Sequence, residues 1–240
     1  VLHVVSAGDE QRLVTRSDDS TLHLRNFEDG TEVHSFSLAD DLFVAWPNFD
    51  GSRLVATRLR PGFETAQVYL IDGVTEQKLN FMPYLPPYAD GAVFSPDNSR
   101  VAIKNSTSRS VSLWDSQTGD IVVVSLPGGR AEFSPDGTLL VTFFFGADLW
   151  KSQNGEKLAT LDHGSQVNDA DFSPDGSQLA TASESGEVHL WNTQNGEEIA
   201  LLSHPSPVKS VTYSPDGTQL ATASSDATVR LWDVTTRQQK

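Results

Sequence analysis

The chain has 240 residues, with 17 Lys+Arg against 32 Asp+Glu, a formal net charge of −15 and no cysteine. The missing cysteines exclude disulfides and thiolate zinc sites, and the acidity opposes sequence-independent binding to nucleic-acid phosphates. Hydrophobic content of 38% with 17 Gly and 12 Pro suits many short strands joined by tight turns, and no apolar run approaches the ~18 residues of a membrane-spanning helix.

One repeat organises the rest. FSPDGSQLATASESGEVHLW at Phe172–Trp191 aligns without a gap on YSPDGTQLATASSDATVRLW at Tyr213–Trp232, with 13 of 20 positions identical and an offset of 41 residues. A fixed period of that size marks a repeat architecture. In chain order the template recovers six units, approximately 1–38, 39–82, 83–126, 127–162, 163–203 and 204–240. The first begins in a strand-like run, VLHVVS, with no initiator Met or signal-peptide pattern, so the sequence reads as a segment of a larger protein. Its Leu13, Thr15 and Leu24 stand in register with Leu220, Thr222 and Leu231, and Arg25 takes the place of Trp232. The second unit has Trp46 near the Phe position, Asp50-Gly51 as its turn and Ile71 in the Trp place. The third has FSPDNS at Phe94–Ser99 and VSLWD at Val111–Asp115; the fourth has FSPDGT at Phe133–Thr138 and ADLW at Ala147–Trp150. From Arg25 to Trp232 these end positions are 46, 43, 36, 41 and 41 residues apart.

Within the sixth unit the pattern predicts strands at Val208–Tyr213, Gln219–Ala223 and Thr228–Trp232. A fourth run follows in five units, at Glu32–Phe36, Glu76–Phe81, Ile121–Leu126, Glu156–Leu161 and Glu197–Leu202. Four short antiparallel strands per unit leave no room for a crossover helix. Alternation places Val188 and Leu190 on one face and His189 and Trp191 on the other. In the Ser-Pro-Asp-Gly turns, Pro presets φ, Asp caps the local backbone and Gly accepts φ > 0. A calcium loop is the weaker reading, because the spaced acidic ligands and closing Glu are missing.

The run FSPDG…LATAS…V-x-L-W followed by Asp or Asn (Asp115, Asn192, Asp233), with His163 and His204 nine residues before Phe172 and Tyr213, resembles the WD-repeat β-propeller family in its bacterial-type tandem form. The resemblance is strongest in the last two units and loosest in the first two. It implies an all-β protein, a β-propeller of four-stranded antiparallel blades, with six repeats visible and a seven-bladed ring as the fuller alternative. It also implies a structural network of His, Thr, Asp and Trp within a blade. The sixth unit supplies His204, Thr222, Asp226 and Trp232; the fifth supplies His163, Thr181 and Trp191, with Ser185 where Asp is expected. A hydrolase triad is rejected, since the same residues account for a blade-locking network. The first four units lack the His and are expected to be held mainly by packing. Neither end supplies the strand that would complete the last blade, whose edge is expected to be a weak point.

The resemblance implies a non-catalytic protein–protein interaction platform, scaffolding or regulatory, with other proteins or other domains of the parent chain as partners. No cofactor, metal, nucleic acid or membrane insertion is expected, and the compartment is expected to be cytoplasmic. The alternative is a propeller enzyme or small-ligand binder with a site at the channel mouth; against it, His3, His23, His34 and His189 fall in strand positions without a shared loop and nothing resembles a metal set. Candidate contact residues sit where the pattern breaks. The loops Thr57–Gln67 and Met82–Asp90 supply Arg58, Arg60, Phe63, Tyr84 and Tyr88, and neighbouring loops add Lys104, Arg109 and Arg130. Arg and Tyr are the types that most often anchor interfaces. Phe143-Phe144-Phe145, beside a two-residue deletion in the fourth unit, is expected to be buried.

Overall fold

The computed structural model describes residues 12–16, 21–26, 28–37, 44–48, 50, 52–59, 66–72, 75, 77–82, 89, 91–105 and 107–240. The chain separates into two compact units, Val1–Ser108 with Ser112–Val124 and Arg109–Val111 with Ser125–Lys240. The described secondary structure is all β and antiparallel.

The first unit holds a three-stranded sheet of β1 (Arg12–Arg16), β2 (Thr21–Asn26) and β3 (Glu32–Ser37) and a four-stranded sheet of β4 (Val44–Pro47), β5 (Arg53–Leu59), β6 (Ala66–Asp72) and β7 (Lys78–Met82). A second four-stranded sheet has β8 (Gly91–Phe94), β9 (Arg100–Asn105), β10 (Ser110–Asp115) and β11 (Ile121–Pro127). In each, strands neighbouring in sequence are neighbours in space. Leu13 pairs with Arg25, and Leu54 with Ile71. The same register pairs Leu179 with Trp191 and Leu220 with Trp232, so the Trp position is occupied at the same place on the ladder whether or not it is Trp. Val55, Val68, Leu70, Val101, Ile103 and Trp114 close one core between two of these sheets. The VLHVVS run lies outside the described residues.

In the second unit, β12 (Arg130–Phe133), β13 (Leu139–Lys151), β14 (Lys157–Phe172), β15 (Gln178–Ser183), β16 (Glu187–Asn192) and β17 (Glu198–Ser203) form one six-stranded ladder, and β18 (Val208–Tyr213), β19 (Gln219–Ser224) and β20 (Val229–Asp233) a separate sheet. Two of the strands are double. The thirteen residues of β13 would span about 44 Å if extended, yet the N–H of Ser152 bonds the carbonyl of Thr138 at 2.9 Å. The run therefore folds back on itself at Phe144–Gly146, and supplies two strands. β14 serves two sheets, pairing through Lys157–Leu161 with β13 and through Val167–Phe172 with β15. The ladder is thus two consecutive four-stranded units sharing one continuous chain. A lone bridge joins Trp232 to Gln239.

Alternation sorts the side chains as expected. Trp191 joins Phe143, Leu149, Leu161, Phe172 and Leu179 in one core, while Val188 and Leu190 face Val208, Val211, Leu220 and Trp232 in another. Carboxylates tie the neighbouring inner strands: Asp169 accepts from the hydroxyl of Ser210 (2.8 Å) and the N–H of Val211 (3.0 Å), and Asp171 from the N–H of Tyr213 (2.6 Å). Burial pushes the Asp171 carboxyl above its ordinary range.

The Ser-x-Asp turns repeat one geometry. The Ser173 hydroxyl donates to Asp175 Oδ1 (2.6 Å), the N–H of Ser177 donates to the same oxygen (3.0 Å), and the N–H of Gln178 closes the turn on Ser173 Oγ (2.9 Å). Ser95/Asp97, Ser134/Asp136 and Ser214/Asp216 do the same. The Ser214 hydroxyl and the Thr218 N–H draw the Asp216 pKa down to about 2.

Four indole N–H groups find a hydroxyl. Trp191 donates to Thr181 (2.8 Å), Trp232 to Thr222 (2.9 Å), Trp150 to Thr142 (2.9 Å) and Trp114 to Ser112 (2.8 Å). The Thr181 oxygen also meets His163 Nε2 at 2.6 Å, and His163 Nδ1 lies 2.8 Å from the carbonyl of Leu161. A carbonyl only accepts, so Nδ1 carries the proton, Nε2 accepts from Thr181, and the chain of bonds runs one way from Trp191 to Leu161. In the sixth unit His204 Nε2 meets Thr222 at 2.8 Å. Asp226 does not join it: its carboxylate takes Thr228 (2.5 Å) and Arg230 (3.1 Å), and His204 Nδ1 is buried without a protein partner among the described residues. Arg230, a stronger and permanently charged donor, competes successfully for the carboxylate that the resemblance assigns to His204. The fourth unit, which lacks the His, is not held by packing alone, for Thr142 bonds the carbonyl of Pro127 at 2.6 Å instead.

Two predictions follow from the fifth-unit chain. Thr181→Val keeps the volume but strands a buried indole N–H and an imidazole, and is expected to cost about 2–4 kcal/mol, with Thr181→Ser restoring most of it; urea unfolding reads both. Burial, with a smaller push from His189, lowers the His163 pKa to about 4 from an ordinary 6.5. As pH falls below the unfolded value the unfolded chain takes up the proton first. The His163 contribution therefore stays constant above about pH 6.5, declines between there and about pH 4, and levels off below, a loss on the order of 3 kcal/mol. Comparing urea unfolding near pH 7 and near pH 5, His163→Gln should lose about 2 kcal/mol less stability than the parent over that interval.

Candidate functional site

The turns between the second and third strands of each unit share a backbone demand. Five residues before the closing Trp, the chain takes left-handed φ at Arg109 (+51), Gly186 (+90) and Ala227 (+65). In the shortened fourth unit Gly146 (+97) does this four residues before Trp150. Glycine adopts such angles freely, whereas a residue with a Cβ pays roughly 1–2 kcal/mol. An arginine thus holds a place that suits glycine.

The sequence-predicted contact residues fall into three groups. Arg60, Phe63, Tyr84 and Tyr88 lie outside the described residues. Arg58 lies in β5 opposite Gln67, and the ladder continues through Leu59 and Ala66. The flanks of the loop expected over Thr57–Gln67 thus belong to the strands, through Leu59 on one side and from Ala66 on the other. Lys104 faces Gly91 across the β8–β9 ladder, its side-chain end filling the space a Cβ at Gly91 would need. Arg130 donates to the carbonyl of Asn168. Lys104 is thus packed against its ladder partner, and Arg130 is engaged by β14.

Arg109 is different. Its guanidinium lies 4.6 Å from the centre of the Phe144 ring and 5.2 Å from that of Phe145. The two rings meet at 85° with centroids 4.7 Å apart, a corner in which the cation sits. The expectation that the Phe run is buried holds for Phe143, at 4% exposure, and fails for Phe145, at 71%. The two-residue deletion is the cause: it carries Phe145 to the tip of the β13 hairpin. Beside the corner is a pocket of about 240 Å³ lined by Arg109, Pro127, Thr142, Phe144, Phe145 and Thr160 among others. Asp148 also lines it, but its carboxylate is taken by Lys157 and Thr160, both at 2.8 Å. The N–H of Gly128 fixes the Arg109 carbonyl at 3.0 Å. Sequence reasoning singled out Arg109 and the Phe run separately; their meeting depends on the hairpin length.

The described histidines of the last two units are engaged within the fold. His163 and His204 bond threonines, and His189 stacks on Trp191 at 5.4 Å with Glu198 3.3 Å from its Nδ1. Among the described residues no group of three or more His, Asp or Glu is placed to hold a metal ion, and no helix is long and apolar enough to cross a membrane.

The support under the corner is testable through its glycines. A Cβ at Gly128, where φ is +130, would lie 2.9 Å from the Phe143 nitrogen and 3.0 Å from Thr142 Cβ. Gly128→Ala should therefore lower stability by about 2–3 kcal/mol. At Gly129 the nearest atom is Phe144 Cδ2, at 3.4 Å, so Gly129→Ala should stay within about 1 kcal/mol of the parent in the same urea titration.

Against known families, residues 155–192 and 196–233 match the sequence profile of the WD domain, G-beta repeat. No curated protein matches the chain. Those two stretches, which carry the His163–Thr181–Trp191 and His204–Thr222–Trp232 bonds, are WD repeats.

Proposed function

We propose that the whole chain is a WD-repeat β-propeller with six visible blades, and that it works as a non-catalytic platform for protein–protein interaction within a larger scaffolding or regulatory protein. Repeats of this kind generally mediate contacts between proteins. The observation that carries the reading is how the reactive side chains are used. Among the described residues, His163, Thr181 and the turn aspartates, the groups on which chemistry would draw, are bonded to an indole, to backbone and to one another. What is left for a partner is arginine and aromatic surface in the connections. The contact residues are taken to be Arg58, Arg60, Phe63, Tyr84 and Tyr88 in the first unit and Arg109 in the second, with Lys104 and Arg130 contributing less because neighbouring strands engage them.

The test is capture of partners from the source cell by the immobilised chain and by a variant with Arg58, Arg60, Tyr84 and Tyr88 all changed to Ala. Loss of a specific partner, with an unchanged unfolding midpoint, is expected. Unchanged recovery would remove those four residues from the interface, and clear turnover in a broad hydrolase screen would overturn the non-catalytic reading.

A further inference from the structure

We propose that the corner formed by Arg109, Phe144 and Phe145 receives an acidic side chain of a protein partner, a Glu or Asp whose neighbour in the partner is apolar. The proposal rests on the platform reading and adds the chemistry of what is bound. Three observations carry it.

The first is an unspent charge. Arg25, Arg53, Arg100 and Arg230 each pair with a carboxylate at 3.0–3.1 Å. Arg109 is exposed and, among the described residues, has ring contacts and no carboxylate. Ring faces engage the π surface of a guanidinium, while its five N–H donors lie in the plane, in a fork that fits a carboxylate. Asp148, the acid in the pocket wall, is already bonded to Lys157 and Thr160.

The second is preorganisation. Arg109 holds φ +51 with its carbonyl pinned by Gly128, and its side chain is held against two rings. Strain retained at an exposed turn, with the side chain fixed in advance, lowers the entropy lost when a ligand binds.

The third is the neighbouring surface. Phe145 is 71% exposed beside the cation, so an apolar side chain next to the acid has a ring to cover. A cationic ligand does not suit the corner, since Arg109 already fills it. A phosphate chain does not either, since one guanidinium stands on a body of net charge −15.

The probe is a fluorescein-labelled peptide of alternating Leu-Glu pairs and Gly-Ser spacers, set against the same peptide with Gln for Glu, and titrated with the full chain by fluorescence anisotropy. The Glu peptide should bind saturably, about tenfold or more tighter than the Gln peptide, and more weakly as salt rises. Arg109→Gln should erase that preference, and Phe145→Ser should weaken the Glu peptide several-fold. Arg109→Gly provides a second variant, because it relieves the left-handed backbone and should fold at least as well as the parent while losing the preference. Equal binding of the two peptides, an undiminished preference in either Arg109 variant, or no saturable binding to the parent would overturn the proposal. So would sodium acetate displacing the peptide far better than sodium chloride at equal ionic strength, which would make a free carboxylate the ligand. If Arg109→Gln still captures the cellular partner while the Arg58/Arg60/Tyr84/Tyr88 variant does not, this inference fails and the platform reading stands.

Discussion

A tryptophan that ends a buried strand brings an indole N–H that must find an oxygen, and the regularity of this chain is largely the regularity of meeting that demand. In three units the oxygen is a threonine hydroxyl on the adjacent strand segment, and in the third it is Ser112 on the strand of Trp114 itself. A hydroxyl has one proton to give as well as lone pairs to accept with, so satisfying the indole leaves a donor to place. That donor goes to an imidazole nitrogen in the fifth unit and to the Pro127 carbonyl in the fourth. The histidine is therefore one solution among several. Units that lose it keep the ladder register, because what the fold requires is an acceptor at that point.

The same economy governs the strand ends. The hydroxyls of Ser152 and Thr193, two residues past the Trp, reach across to the carbonyls of Gly137 and Gly176 in the Ser-Pro-Asp-Gly turns, and Ser116 does likewise to Asn98. Asp115, Asn192 and Asp233, directly after the Trp, accept from backbone N–H groups of the next turn. Each bond ties the end of one strand to the turn that starts another. The turn five residues before the Trp is governed instead by a single backbone angle, and it is there that residue identity is freest to vary among Arg109, Gly186 and Ala227.

The strands were legible because short alternating runs between turn residues allow few other readings. Val208–Tyr213 was placed to the residue, and the opposed faces of Val188 and His189 follow from the two-residue period. The bond partners were less legible, because sequence spacing brings residues close without choosing between donors. Asp226 was within reach of His204 and went to Arg230, four residues away on the same hairpin. The Pro127 carbonyl had no side-chain signature at all. Of the candidate site, the sequence marked Arg109 and the Phe run as departures from the pattern. It could not join them, since the corner depends on where a hairpin two residues short turns round.

The acidity of the chain bears on that corner. The carboxylates of the repeated turns are structural acceptors: hydroxyl and backbone donors hold Asp175 and Asp216 below the ordinary range, and the serine hydroxyl is the largest contributor in each. A net charge of −15 is then partly a consequence of repeating one turn many times, rather than a device for attracting a ligand. With 32 acidic residues against 17 Lys and Arg, cations should rarely lack a partner. The carboxylates of the repeated turns are held within those turns, and Asp148 Oδ1, in the wall of the same pocket, accepts from Lys157 and Thr160. The guanidinium of Arg109 stacks on phenyl rings in the midst of this surplus because of placement and not scarcity, and a carboxylate from another chain would meet no competitor among the described residues.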